Sequence, residues 1–93
     1  MFAWDSRKAA TNVKKHGVSF AEAATVFADP EALDWDDFEH SDSEQRSVRL
    51  GFSAAGRILF VVYTIQRLKY DQETIRIISA RQATRKERKV YAG

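Results

Sequence analysis

The stretch Thr74–Arg81 (TIRIISAR), which runs directly into residues 82–91 (QATRKERKVY), is the most informative part of the chain. Its first half has the composition of a buried strand and carries Arg76 and Arg81. Its second half is a basic amphipathic helix. Packed apolar residues would fix the backbone, which leaves the guanidinium groups available to anions. This unit therefore predicts a strand followed by a helix, with RNA or DNA favoured as a partner over a small apolar ligand.

Four further strand patterns precede this unit. Residues Arg46–Phe52 alternate apolar and polar side chains, and the turn Ser53–Gly56 joins them to the nearly all-apolar run Arg57–Ile65. A short edge strand is predicted over Leu33–Asp36, and another opens the chain at Phe2–Trp4.

A helix is predicted over Ser6–His16, with Gly17 as its left-handed terminator. It places Ala9 and Val13 on one face, and Asn12 lies with lysines on another.

A second helix begins at Ser19, which forms a capping-box pattern with Glu22, and Asp29-Pro30 ends it. The same pattern, Thr84 with Glu87, opens the last helix.

The fold class expected from this order is α+β, a small antiparallel sheet with two N-terminal helices and one C-terminal helix. One domain over residues 1–93 is expected at this length. The sheet face away from the helices would carry Arg49 or Arg76, depending on register.

Composition excludes several classes of protein. The content of 44% hydrophobic and 30% charged residues is that of a soluble globular domain. Without cysteine, disulfides and thiolate metal sites are impossible. The N-terminus lacks a signal-peptide pattern, and the longest apolar run, Ile58–Tyr63, is too short to cross a bilayer. A cytoplasmic protein without membrane contact is expected.

The net charge of +2 conceals a strongly uneven distribution. Residues 21–45 carry nine acidic side chains and no lysine or arginine, whereas residues 46–93 hold eleven basic against three acidic side chains. This asymmetry suggests a polyanion on one surface and a basic partner on another.

The two strand arginines are candidates for phosphate binding. Arg76 and Arg81 are embedded among strand residues, and the planar guanidinium fork can bond two phosphate oxygens. A structural ion pair between Arg81 and Glu87 would satisfy the same side chain.

The cations of the last helix are a second group. Arg85 and Arg88 share one side of the helix and are candidates for RNA binding. Lys86 and Lys89 by themselves are better interpreted as a solvated helix end, which the helix dipole favours.

Three further side chains could carry chemistry. His16 could transfer protons, because histidine changes charge near neutral pH, or it could cap the preceding helix. Tyr91 could stack on a base or donate a proton, whereas Tyr63 is better explained by core packing.

An acidic segment could bind a divalent metal through oxygen ligands, but it matches no calcium-loop spacing. Its carboxylates are Asp34, Asp36, Asp37, Glu39, Asp42 and Glu44. A solvated loop or a docking surface for a basic partner is favoured, and the aromatic residues Trp35 and Phe38 within it support docking.

Ordered blocks across nearly the whole chain resemble BrnT toxins. They are Trp4-Asp5, Lys8, Asn12, residues 15–20 (KHGVSF), Ala23, Phe27 and Asp29-Pro30; Glu44, Arg46, Leu50-Gly51, Ser53 and Gly56-Arg57; and residues 76–81 (RIISAR), Ala83-Thr84, Glu87-Arg88 and Tyr91.

The resemblance implies a RelE-like ribonuclease toxin of a bacterial type II toxin–antitoxin pair that needs no cofactor or metal. It also implies a BrnA-like antitoxin, a ribbon–helix–helix DNA-binding dimer that holds two toxins in a 2:2 complex. The RNA-handling residues carried over are Lys15, His16, Arg46, Arg76, Arg81 and Tyr91. The expected catalytic set is His16, Arg76, Arg81 and Tyr91, with Lys15, Arg46, Arg85 and Arg88 binding RNA. A non-enzymatic nucleic-acid-binding module and a protein-docking module are the alternatives.

Overall fold

The computed structural model describes residues 1–38, 45–67 and 72–93. In chain order the elements are β1 (Phe2–Ala3), α1 (Ser6–His16), α2 (Phe20–Thr25), a 3₁₀ turn (Val26–Ala28), β2 (Leu33–Asp37), β3 (Arg46–Phe52), β4 (Ile58–Arg67), β5 (Glu73–Gln82) and α3 (Arg85–Ala92). The predicted loop at residues 40–43 and most of the turn near residues 69–72 lie outside the described residues. Within the described ranges, no helix is long and apolar enough to cross a membrane.

The five strands form one sheet in the order β1-β5-β4-β3-β2. The predicted α+β class is confirmed, and so is the edge position of β2. Three of the strand pairs are antiparallel, whereas β1 pairs with β5 in parallel, so the sheet is mixed. A parallel neighbour is possible here because α1, α2 and three strands intervene between β1 and β5, which provides the long crossover that such a pair requires.

Helices α1 and α2 cover one face of this sheet. Apolar side chains of α2 and its flanks, among them Phe20 and Val26, pack on Leu59 and Val61 of β4 and on Ile77 of β5. Tyr63 joins this face, and its hydroxyl donates to Asp34 Oδ1 at 2.8 Å. The predicted core role of Tyr63 is therefore confirmed. Burial, together with this hydrogen bond, raises the pKa of Tyr63 to about 12.

The interface between α1 and the sheet is centred on an asparagine. Asn12 is 5% exposed and Val13 is 47% exposed, so the prediction that Val13 belongs to the packed face and Asn12 to the polar one is wrong. The Asn12 amide donates to Val18 O and Ala80 O, both at 2.8 Å, and Ala80 N donates to Asn12 Oδ1 at 3.1 Å. Strand β1 ends too early to pair with Ala80, and the side-chain amide takes the place of a strand there.

The predicted caps are largely confirmed. Asp5 accepts from the N–H groups of Arg7 and Lys8, and Gly17 ends α1 at φ 66°. The capping box of Thr84 and Glu87 is complete. At α2, Ser19 accepts from Glu22 N, but the Glu22 carboxylate binds elsewhere.

That carboxylate ties α2 to the β3–β4 hairpin. Arg57 Nε donates to Glu22 Oε2 at 3.0 Å, Ser53 Oγ donates to the same oxygen at 2.7 Å, and Arg57 Nη2 donates to Gly17 O at 3.1 Å. The Arg57 hydrogen bonds hold the pKa of Glu22 below its usual value. This ion pair fixes the corner where α1 ends.

Candidate functional site

The sheet face opposite α1 and α2 carries a concavity of about 450 Å³. Strand register explains its lining, because paired residues share a face. One row across four strands is Trp35, Val48, Val62 and Ser79, and the next is Leu33, Leu50, Phe60 and Arg81. The core residues Val61 and Ala80 form a row between these two. Because neighbouring rows alternate between the two faces of a sheet, the two listed rows share the face away from this core.

Three sequence-predicted site residues meet at this concavity. Arg81 comes from β5, Arg46 from β3, and His16 from the last residue of α1. Arg46 is paired in register with Asp37 of β2, which also lines the concavity. Residues more than sixty positions apart are thus brought to one surface, and the fixing of α1 by Asn12 determines where His16 lies.

Arg81 lies over an aromatic ring and is held by a carboxylate. Its Cζ is 4.0 Å from the Phe60 ring centroid, and Phe60 contacts Trp35 at 6.0 Å between centroids. Arg81 Nη1 and Nη2 donate to the two Glu87 oxygens at 2.7 and 3.0 Å. These bonds hold the pKa of Glu87 below its usual value. The ion pair with Glu87, which the sequence left as an alternative, is therefore present, and the Arg81 side chain remains about one-third exposed.

His16 is half-buried and borders a second concavity of about 280 Å³. Lys15, Arg7 and Lys8 of α1 also line this second space. Gly17 N, at 2.8 Å from Val13 O, closes the helix end. To the residues that the structure describes, the His16 side chain makes no hydrogen bond, so the capping role is not observed among them.

Tyr91 does not line the concavity with His16. Its hydroxyl donates to Asp29 Oδ2 at 2.6 Å, near the end of β3, where Phe52 N donates to the same oxygen at 2.8 Å. The Asp29 hydrogen bond raises the pKa of Tyr91 to about 12. This hydroxyl serves to hold α3 against the segment that follows α2.

The remaining candidates lie outside the concavity. Arg76 is half-buried opposite Thr64 and acts electrostatically on Asp5. Arg85 and Arg88 are exposed on α3, and Arg88 Nη1 donates to Ala83 O at 3.0 Å. The sequence left open whether Arg49 or Arg76 lies on the sheet face away from the helices. Register excludes Arg49, because it lies on the helix-covered face and binds Val26 O, Asp29 O and Asp34.

Sequence reasoning missed several lining residues: Trp35, Asp37 and Phe60 in the first concavity, and Arg7, Lys8 and Ser79 in the second. Alternation along β2 already placed Trp35 and Asp37 on one face, which is a usable signal. Pairing of β2 with β3, which brings them beside Arg46, is not readable from local sequence.

Within the described ranges, no group of three or more His, Asp or Glu side chains could hold a metal ion.

The fold and this surface define a small α+β protein whose open sheet face combines cations with aromatic rings, an arrangement suited to nucleotides. The family model described as "Ribonuclease toxin, BrnT, of type II toxin-antitoxin system" matches residues 4–87. The chain therefore belongs to the BrnT family of ribonuclease toxins of type II toxin–antitoxin systems.

A solved structure supports the fold assignment. The chain is similar to the 1.1 Å crystal structure of the Brucella abortus ribonuclease toxin BrnT, with a TM-score of 0.65 and 23% sequence identity. The match covers 91% of this chain and 99% of that chain. No curated protein sequence matches the chain.

Proposed function

We propose that this protein is a metal-independent endoribonuclease toxin that cleaves RNA at the concavity of His16, Arg46 and Arg81. The observation that carries the proposal is the joint lining of one space by these three side chains and by Trp35. Cleavage of cellular RNA would inhibit translation and growth. Family membership supports this activity class, and the geometry supports the position of the site.

The chemistry follows from the residue types. The ribose 2′-oxygen attacks the adjacent phosphorus while the bond to the 5′-oxygen breaks, which yields a 2′,3′-cyclic phosphate and a 5′-hydroxyl. The 2′-hydroxyl loses a proton and the departing 5′-oxygen gains one; His16 carries out one of these two transfers, and solvent water carries out the other. Arg46 and Arg81 stabilise the charge that develops on the phosphoryl oxygens. The exposed Trp35 ring offers a face for base stacking.

The proposed inhibitor is a ribbon–helix–helix antitoxin dimer that binds two copies of the toxin. Strand β2 supports a docking role, because it is an acidic sheet edge with exposed Leu33 and Trp35. A partner strand with basic residues would complement its backbone and its charge.

Cleavage of RNA in the presence of a chelator tests the mechanism. The purified protein should cut single-stranded RNA equally well with EDTA and with added magnesium. His16→Ala should lower the rate about a hundredfold or more, because a proton-transfer group is lost. Cleavage that requires magnesium would contradict the mechanism.

Arg67→Ala is the matched control. The Arg67 side chain is 71% exposed, pairs with Glu73 at 3.6 Å and lies outside both concavities, so its removal changes net charge without touching the site. Its partner variant is Arg46→Ala, which should lower cleavage because a cation that stabilises the phosphoryl oxygens is lost. If Arg67→Ala lowered cleavage as much as Arg46→Ala, general electrostatic attraction would explain the effect.

The competing function is nucleic-acid binding without cleavage. RNA that is bound, with affinity falling steeply as salt rises, but recovered intact would favour that function.

A further inference from the structure

The groove between α1 and β5 has features that the proposed cleavage step does not use. It is lined by Arg7, Lys8, Thr11, Lys15, Ile78 and Ser79, together with Asn12 and His16. Arg7, Thr11 and Lys15 follow one another at intervals of four residues and therefore form a stripe along one face of α1. At 1.5 Å per residue this stripe is about 12 Å long, which exceeds the reach of a single phosphate group.

Helix stability does not account for the cations at the start of this stripe. The first turn of α1 contains Arg7 and Lys8 and no acidic residue. Cations are disfavoured near a helix N-terminus, where the macrodipole is positive. Asp5 offsets part of this cost for Lys8, because the Asp5 carboxylate attracts the Lys8 side chain electrostatically. By contrast, the dipole does explain Lys14 and Lys15 in the last turn.

An irregularity in β5 shapes the opposite wall of the groove. Val62 pairs with Ser79 and Tyr63 pairs with Ile77, so Ile78 is an extra residue without a partner on β4. A bulge of this kind redirects the side chains around it and is common beside active sites. Here it places Ile78 in the groove, while Ser79 lines both the groove and the larger concavity.

The two spaces adjoin at His16 and Ser79, which border both. We propose that the groove of Arg7, Lys8 and Lys15 is a phosphate-binding subsite for the part of an RNA strand that flanks the nucleotide held in the larger concavity. The proposal rests on the function proposed above and specifies its substrate as a single strand longer than a dinucleotide. The strand would cross the protein at His16, with cations on either side of the reacting phosphate.

Binding of a non-cleavable oligonucleotide tests the subsite separately from cleavage. The variant Arg7→Ala/Lys8→Ala should keep the fold, because both side chains are exposed and only their backbone N–H groups cap α1. With a 2′-deoxy strand of about six nucleotides, its affinity should be roughly tenfold weaker than that of the wild type. The salt slope should fall by about 1.4, the value for two lost single-strand phosphate contacts.

The matched control is Lys86→Ala/Lys89→Ala, which removes the same charge from exposed positions of α3. This variant should bind the six-nucleotide strand within about twofold of the wild type. Both double variants should bind a dinucleotide as the wild type does. Equal weakening by the two double variants, or no weakening by Arg7→Ala/Lys8→Ala, would overturn the subsite.

Cleavage assays separate the two proposals. On a longer RNA, Arg7→Ala/Lys8→Ala should raise KM and leave kcat unchanged. Length-dependent binding without cleavage by the wild type would contradict the ribonuclease mechanism and leave the subsite standing. Cleavage by the wild type with unchanged KM in the variant would remove the subsite and leave the mechanism.

Discussion

Asn12 is a buried side chain that helps to fix the N-terminal helix on the sheet. Its amide satisfies Val18 O, Ala80 O and Ala80 N, all of them buried backbone groups. Asn12→Ala should lower the free energy of unfolding by about 3 kcal/mol, because these groups lose their partner away from water. Urea denaturation measures the change, with Val13→Ala on the exposed side as the control. A loss below about 1 kcal/mol would show that water replaces the amide.

Glu87 neutralises Arg81, one of the two arginines at the proposed cleavage site. Glu87→Gln keeps an acceptor for Thr84 N, which Glu87 now binds at 2.9 Å, and so preserves the helix cap. It removes the negative charge beside Arg81, so RNA affinity should rise several-fold at low salt. Fluorescence titration of a labelled RNA measures this. Unchanged affinity would mean that Arg81 serves the fold and does not contact RNA.

At the scale of elements, the 3₁₀ turn after α2 lies directly on β3 at a glycine. A Cβ at Gly51 would lie 3.1 Å from the Cβ atoms of Ala32 and Val26 and 3.3 Å from Val26 O. Gly51→Ala should therefore destabilise the protein by about 1–3 kcal/mol through overpacking. Thermal unfolding, compared with Ala55→Ser in the exposed turn, measures the effect. A stabilised Gly51→Ala variant would show that the turn can move away from β3.

Elements with local signals were predictable from the sequence. The bounds of α1 follow from the Asp5 cap and Gly17, and β3 follows from strict alternation. The direction of β1 and the register skip at Ile78 depend on which strands pair, and no local pattern encodes that. Asn12 was assigned to the wrong face of α1 for the same reason, because its hydrogen-bond partners at Ala80 are 68 residues away.

The candidate site was predictable in part. Arg46, Arg81 and His16 were identified from residue type and family resemblance, and they line one space. Tyr91 was grouped with them, yet its hydroxyl binds Asp29. A side chain's partner across the fold is a tertiary property, so residue type alone could not separate Tyr91 from the three residues that meet.

At the scale of the whole molecule, four carboxylates are held by hydrogen bonds in the folded state. Asp5, Glu22, Asp29 and Glu87 all have lowered pKa values in the folded state. For Asp29, burial raises the pKa, but hydrogen bonds from Tyr91 and from the N–H groups of Phe52 and Glu31 outweigh it. Each of the four must gain a proton when the protein unfolds in acid.

Stability should therefore be constant near neutral pH and fall in acid. A lowered folded pKa stabilises the protein above the unfolded values of 3.8 for Asp and 4.5 for Glu, and the benefit is lost as pH falls through the folded pKa. Urea unfolding at a series of pH values measures this. Glu22→Gln should be less stable than the wild type at neutral pH, and the difference should vanish in acid. A difference that persists in acid would assign the effect to packing.

The amide hydrogen of Ala80 is held by the Asn12 side chain and not by a neighbouring strand. It can exchange with solvent deuterium only when α1 lifts away from β5, whereas amides bonded between β4 and β5 wait for the sheet to open. The exchange rate of this one amide therefore reports the fraction of molecules in which His16 and Arg81 have separated while the sheet is still intact. At the proposed cleavage site this fraction would be folded protein without His16 in place, and the three hydrogen bonds of Asn12 help to keep it small.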